Sequence, residues 1–186
     1  MRLLLSLCLP VCLASMPAAA DEVSDTLTSA LEAYQDGDVA YAMEELVYAQ
    51  QLLQEMKAGE LEGFVPEALD GWTRTLSEDA GAAMGMLGGG TAAEAEFSNG
   101  SDSFTLTIMA DSPMVAMMSG MFGNAQMMAT MGKIERIGRQ KFLNQDGDLS
   151  ILIGNRIIVQ ASGGDLEAMK AHLEQIDYRA LENFGQ

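Results

Sequence analysis

The chain has almost no sulfhydryl, little positive charge and a single histidine, and each shortage removes a class of chemistry. Its two cysteines, Cys8 and Cys12, both lie near the N-terminus. Beyond them no disulfide framework, CxxC redox pair or thiolate metal site can be built. Ten Lys and Arg stand against 27 Asp and Glu, for a formal net charge of −17. A phosphate backbone or an anionic lipid surface repels such a chain, which argues against nucleic acid as a partner. With only His172, no histidine zinc site can form, and a Ser-His-Asp triad would depend on that one ring. Neither HExxH nor GxSxG occurs. His172 stands one residue off the apolar stripe of the last helical segment, which predicts a flanking, partly hydrated ring. The single tryptophan leaves little to stack a sugar ring, and Glu44-Glu45 and Glu94/Glu96 read as solvated faces; a hydrolase using a carboxylate pair stays as an alternative, with no pair located in the sequence. Asn144–Asp148 has oxygen ligands but not the twelve-residue calcium loop with its closing glutamate.

Long apolar runs are also missing. The longest is at the start: Arg2, then Leu3-Leu4-Leu5, Leu7, Leu9, Val11 and Leu13, followed by Ala18-Ala19-Ala20 and acidic Asp21-Glu22. This is the layout of a cleavable secretory signal over residues 1–20; the run is too short to span a membrane, and Pro10 interrupts it. Cleavage after Ala20 removes both cysteines, two methionines and Arg2 but no acid, so the net charge moves from −17 to −18. Neither cysteine follows the small residue that lipoprotein processing needs (Leu7 precedes Cys8, Val11 precedes Cys12). The expectation is a periplasmic or secreted product with no stable membrane anchor after cleavage.

Residues 21–63 read as an antiparallel helical hairpin. Leu27, Ala30, Leu31 and Tyr34 share one helical face. Asp36-Gly37-Asp38 supplies a left-handed helix end and an N-cap, and Val39, Ala42, Met43, Leu46, Ala49, Leu53 and Met56 continue at three- and four-residue steps. This stretch resembles a single tetratricopeptide repeat: Gly37-Asp38 sits at the inter-helix turn, and Ala42, Leu46 and Ala49 match second-helix packing positions. The proline that closes such repeats is absent and no second copy follows, so the expectation is a plain hairpin rather than a solenoid. Tyr34, Tyr41 and Tyr48 recur every seven residues and are candidates for a partner-binding face.

Phe64-Val65-Pro66 breaks the helical pattern, and residues 64–186 read as an antiparallel α+β domain. Asn99-Gly100, Asp146-Gly147 and Gly154-Asn155 are two-residue turn signals between stretches of period-two hydrophobicity. They predict a β-meander sheet, with an inserted Met-rich helix and one C-terminal helix. Asp165 caps that last helix, and Leu166, Met169, Leu173, Ile176, Tyr178, Leu181 and Phe184 form its stripe. The order of elements resembles the Mog1/PsbP-like fold. With Gly71-Trp72 and the strand running into Met109 to Pro113, it is also similar to a family of uncharacterised secreted bacterial proteins. That likeness is topological and implies no catalytic motif.

What the chain has in excess is methionine: 15 in all, eight of them between Met109 and Met131. Ser112 and Pro113 can open a helix in which Met114, Met117, Met118 and Met121 stand at i, i+3, i+4 and i+7. Core packing is the first expectation for that stripe. The others are an adaptable surface for a protein or apolar ligand, with Met127 and Met128 as partner-binding candidates, and a thioether Cu(I) site formed by the four helical methionines. The neighbouring glycine-rich stretch 80–90 lacks the lysine and spacing of a phosphate loop, and suggests a mobile apolar loop. Together these features predict a non-enzymatic interaction or binding protein with no cofactor and no nucleic-acid partner. Its partner would be a protein or an apolar ligand of unknown identity.

Overall fold

The computed structural model describes residues 18–77, 80–81, 89–122 and 130–186, with side chains at 18–20 and 121–122 left undescribed. Most of the leader segment, most of the glycine-rich stretch, and Met127 and Met128 lie outside these residues. The chain forms two compact units, one ending at Leu52 and the other running from Leu53 to Gln186.

The first unit holds α1 (Ala18–Gln35) and most of α2 (Val39–Glu62). The expected hairpin turn is present. Gly37 takes a φ of +82° that a side chain would resist. Asp38 then caps α2, its Oδ1 accepting from Tyr41 N–H at 3.1 Å. The division between the units falls within α2. The last turns of α2 carry Leu61, which is fully buried and joins Val65 in the core of the second unit.

The second unit is an α+β arrangement around a seven-stranded antiparallel sheet. Its strands are β1 (Thr73–Leu76), β2 (Thr91–Ser98), β3 (Ser103–Ala110), β4 (Lys133–Ile137), β5 (Gln140–Gln145), β6 (Asp148–Ile153) and β7 (Ile157–Ser162). The sheet order is β1-β2-β3-β7-β6-β5-β4. One meander runs inward from β1 to β3. The chain then passes through α3 (Pro113–Phe122) to the far edge, and a second meander returns so that β7 pairs with β3. Strand alternation points Phe97, Phe104, Leu106, Ile108, Phe142, Leu149 and Val159 to one face. Residues from α4 (Leu166–Leu173) and α5 (Tyr178–Glu182), and from the segment around Val65, complete this core. On the opposite face, α3 lies against β6, with Val115 buried.

The turn signals were realised in three different ways. Asp146-Gly147 makes the two-residue turn, with both residues at positive φ and Gln145 paired to Asp148. At Asn99-Gly100 the ladder closes only at Ser98 and Ser103, and Asn99 Oδ1 collects the Ser101 and Asp102 N–H groups. At Gly154-Asn155 the ladder resumes with Ile153 opposite Ile157, which leaves Arg156 as an extra residue outside the pairing.

The single C-terminal helix expected from the sequence is two helices. α4 ends at Leu173, and Asp177 starts α5 afresh, its Oδ1 accepting from Arg179 and Ala180 N–H. The late stripe advances by three residues per step. That advance drifts around a 3.6-residue helix, and the break lets both pieces face the sheet.

Candidate functional site

The hairpin was expected to close on its large apolar residues, but it closes on small ones. Val23, Thr26, Ala30 and Ala33 of α1 are buried, as are Ala42 and Ala49 of α2. Small side chains let two helices approach closely, and Thr26 satisfies its hydroxyl locally by donating to Glu22 O at 2.8 Å. The bulky residues lie one step around each helix. Leu27, Leu31 and Tyr34 on α1, and Val39, Met43 and Leu46 on α2, are all exposed, from 43% at Leu27 to 67% at Tyr34.

Helical geometry decides whether these residues form one surface. At 100° per residue, the α1 and α2 sets are each displaced from their buried stripe in the same rotational sense. In an antiparallel pair, equal displacement brings both sets to the same side of the hairpin. The opposite side is identified by Tyr48 of α2, whose hydroxyl donates to Glu22 Oε1 of α1 at 2.7 Å. The apolar side carries no charged residue from either helix up to Leu52. Asp21, Glu22, Asp25, Glu32, Glu44 and Glu45 all project from the back or the far edge. The result is an uncharged face on a strongly acidic chain.

The three tyrosines are not brought together. Tyr34 lies with Leu27 and Leu31, while Tyr41 and Tyr48 are exposed on the other edge. Their seven-residue spacing crosses the turn at Gly37, so it does not describe one helix face. A shallow recess of about 350 Å³ is lined by Met43, Glu44, Val47, Tyr48 and Gln51, all from α2. The described lining comes from one helix, which gives little to enclose a small molecule.

The methionine stripe is not core packing where it is described. Met114 is 43% exposed and Met117 is 79% exposed, while Met118 is half-buried. Among the described side chains of α3, Val115 is the one enclosed, and Ser112 caps the helix by accepting from Val115 N–H at 3.2 Å. The side chain of Met121, like Met127 and Met128, lies outside the described residues. Among the described residues the buried methionine of the domain is Met169.

His172 differs from its expected hydrated position. It is fully buried and packs against the rings of Phe97, Phe104 and Trp72 at 4.7, 5.1 and 5.3 Å. Nε2 accepts from Leu69 N–H at 3.3 Å, so Nδ1 carries the proton and donates to Ala168 O at 2.8 Å. Both nitrogens are used to hold the segment before β1 against α4. Sequence periodicity missed this because the ring's partners come from the helix side and from β2 and β3 at once.

The carboxylates are dispersed. Glu94 Oε2 accepts from Thr107 at 3.1 Å, Glu96 is exposed, and Glu44 is exposed beside half-buried Glu45. Among the described residues no group of three or more His, Cys, Asp or Glu is placed to hold a metal ion. One polar cluster was not foreseen. Arg156 grips Asp111 with two hydrogen bonds, at 2.8 and 2.6 Å, and donates to Phe184 O at 2.7 Å. Lys57 lies 3.6 Å from the same carboxylate and over the Phe184 ring. Arg156 holds the Asp111 carboxyl below the usual carboxylate range, with Lys57 adding to the effect against an opposing burial cost. Because Arg156 stands outside the strand ladder, its side chain can tie β3, β7, the end of α2 and the C-terminus together. All three of its nitrogens donate to partners within the chain, so the cluster reads as a clasp rather than a ligand site.

Among the described residues no helix is long and apolar enough to cross a membrane. Comparison with protein-family models, curated proteins and solved structures finds no match to this chain.

Proposed function

We propose that the protein is a non-enzymatic periplasmic or secreted binding protein, acting through the apolar face of its helical hairpin. The observation that carries this reading is the exposure of Leu27, Leu31, Tyr34, Val39, Met43 and Leu46 on one uncharged side of an otherwise acidic pair of helices. Contiguous apolar surface of this kind is costly to leave in water and marks sites of association. Export is supported by the layout of residues 1–20 and the thiol-free remainder of the chain.

Site-specific photo-crosslinking in the producing cell tests the reading. A photoreactive residue at Leu31 or Leu46 should give discrete protein adducts, and one at Glu32 or Glu44 should not. Equal labelling from both sides of the hairpin, or none from the apolar side, would remove the proposal.

A second reading has its own observation. The exposed thioethers of Met114 and Met117 lie three residues apart on α3. With Met118 and Met121 they provide soft thioether ligands suited to Cu(I) in a chain without thiol donors after cleavage. Anaerobic titration against a competing Cu(I) chelator is the measurement. Retention lost on replacing Met114 and Met117 by Leu supports this use, and no retention at micromolar copper rejects it.

A further inference from the structure

We infer that the occupant of the hairpin's apolar face is a second copy of this chain, the two hairpins forming a four-helix bundle. The inference rests on the binding reading above and adds the identity of the partner.

Three features favour a copy over other occupants. The first is charge. Residues 21–52 contain no Lys, Arg or His, and their acids sit on the back and far edge of the hairpin. Two copies meeting through the uncharged side keep those acids on the outside of the bundle. There they are roughly 20 Å apart, beyond the screening length of about 8 Å at physiological salt. A cationic partner would instead be drawn to the acidic back and would leave the apolar side uncovered.

The second is area. The exposed parts of the six apolar residues amount to roughly 600 Å² per copy, so a pair that covers them fully removes about 1,200 Å² from water, which reaches the lower bound for specific, stable association. The third is symmetry. A two-fold interface must be complementary to itself, and an uncharged apolar strip meets that condition without any paired donor or acceptor. Each hairpin has a thin alanine interior, and pairing supplies the layer of large side chains that helix bundles place at their centre.

The test uses the full exported chain, in which Cys8 and Cys12 are absent or replaced by serine. Sedimentation velocity over a range of micromolar concentrations should show a monomer–dimer equilibrium. Leu31→Glu with Leu46→Glu should weaken it about 100-fold or more while leaving the circular dichroism unchanged. Lowering the salt to about 10 mM, where the screening length grows to about 30 Å, should weaken the dimer because the acids of the two copies then repel. As a check that does not depend on a disruptive variant, a photoreactive residue at Leu31 in the purified chain should give an adduct of twice the chain mass, and one at Glu32 should not. A monomer at 100 μM, a dimer unaffected by the double variant, or equal adduct formation at both positions would overturn the inference. If Leu31 crosslinks to a different protein while the chain stays monomeric, the binding reading stands and the inference alone fails.

Discussion

In the sheet unit the largest apolar side chains, Phe97, Leu106 and Phe142, are fully enclosed, while in the hairpin Leu31, Met43 and Leu46 face outward and alanines fill the interior. Both regions show regular apolar periodicity, so the pattern alone does not separate them. What differs is the number of surfaces available to cover a stripe. A sheet face collects side chains from six strands, β2 to β7, and receives α4, α5 and the end of α2. A two-helix hairpin has one internal seam, and here that seam is taken by Ala30, Ala33, Ala42 and Ala49. Burying alanine removes little area from water, so the hairpin gains less from its own closure than the sheet does from its core.

The contrast can be broken most forcefully from the sheet side. Phe97 is stacked on Phe104 at a centroid distance of 4.9 Å and touches His172. Truncation by Phe97→Ala should cost about 3–5 kcal/mol, read as a lower urea midpoint with an unchanged slope. His172→Ala opens the same cluster and strips Leu69 N–H of its acceptor. A loss of about 3 kcal/mol is expected in the same assay. A result near zero would mean that the aromatic cluster is not the centre of the sheet unit.

A smaller effect belongs to the clasp. Asp111→Asn keeps the side-chain shape and tolerates the positive φ at this position, so it isolates the charge. About 1 kcal/mol should be lost at neutral pH, a modest figure because both partners remain partly solvated. The carboxyl is depressed in the folded state. Its contribution is therefore complete above the unfolded-state value and is lost as the pH falls through the folded one. The difference between parent and variant should fade below about pH 4 in urea titrations. A difference that persists unchanged in acid would mean that shape, not charge, holds the clasp.

The smallest expected effect sharpens the comparison most. Leu31→Ala and Leu46→Ala should each change the stability of the monomer by less than about 0.5 kcal/mol in denaturant melts run at dilute concentration. The same leucine-to-alanine change at Leu106 should cost about 2–5 kcal/mol. A large loss at Leu31 in the monomer would show that it packs inside its own chain.

Much of this architecture is legible in the sequence. The antiparallel hairpin turn at Gly37, the meander strands, the Ser112 and Asp165 caps and the α+β class all follow from short-range signals. Capping needs three or four consecutive residues, and a tight turn needs a residue that accepts positive φ. The break at Asp177 was hidden because a three-residue advance imitates a helix over two turns. The burial of His172 was hidden because Leu69, Trp72, Phe97 and Phe104 are far from it in sequence. The Asp111–Arg156 clasp was hidden for the same reason, since one extra residue in a turn aims Arg156 at a carboxylate 45 positions earlier.

The sequence by itself determined periodicity, turn positions, charge and the supply of chemically reactive groups, because each depends on residue identity over a few neighbours. Only the tertiary structure decided which of two adjacent stripes on each hairpin helix went inside. Close helix approach selects small side chains and leaves their larger neighbours outside, a choice that depends on the second helix and cannot be read from either helix alone.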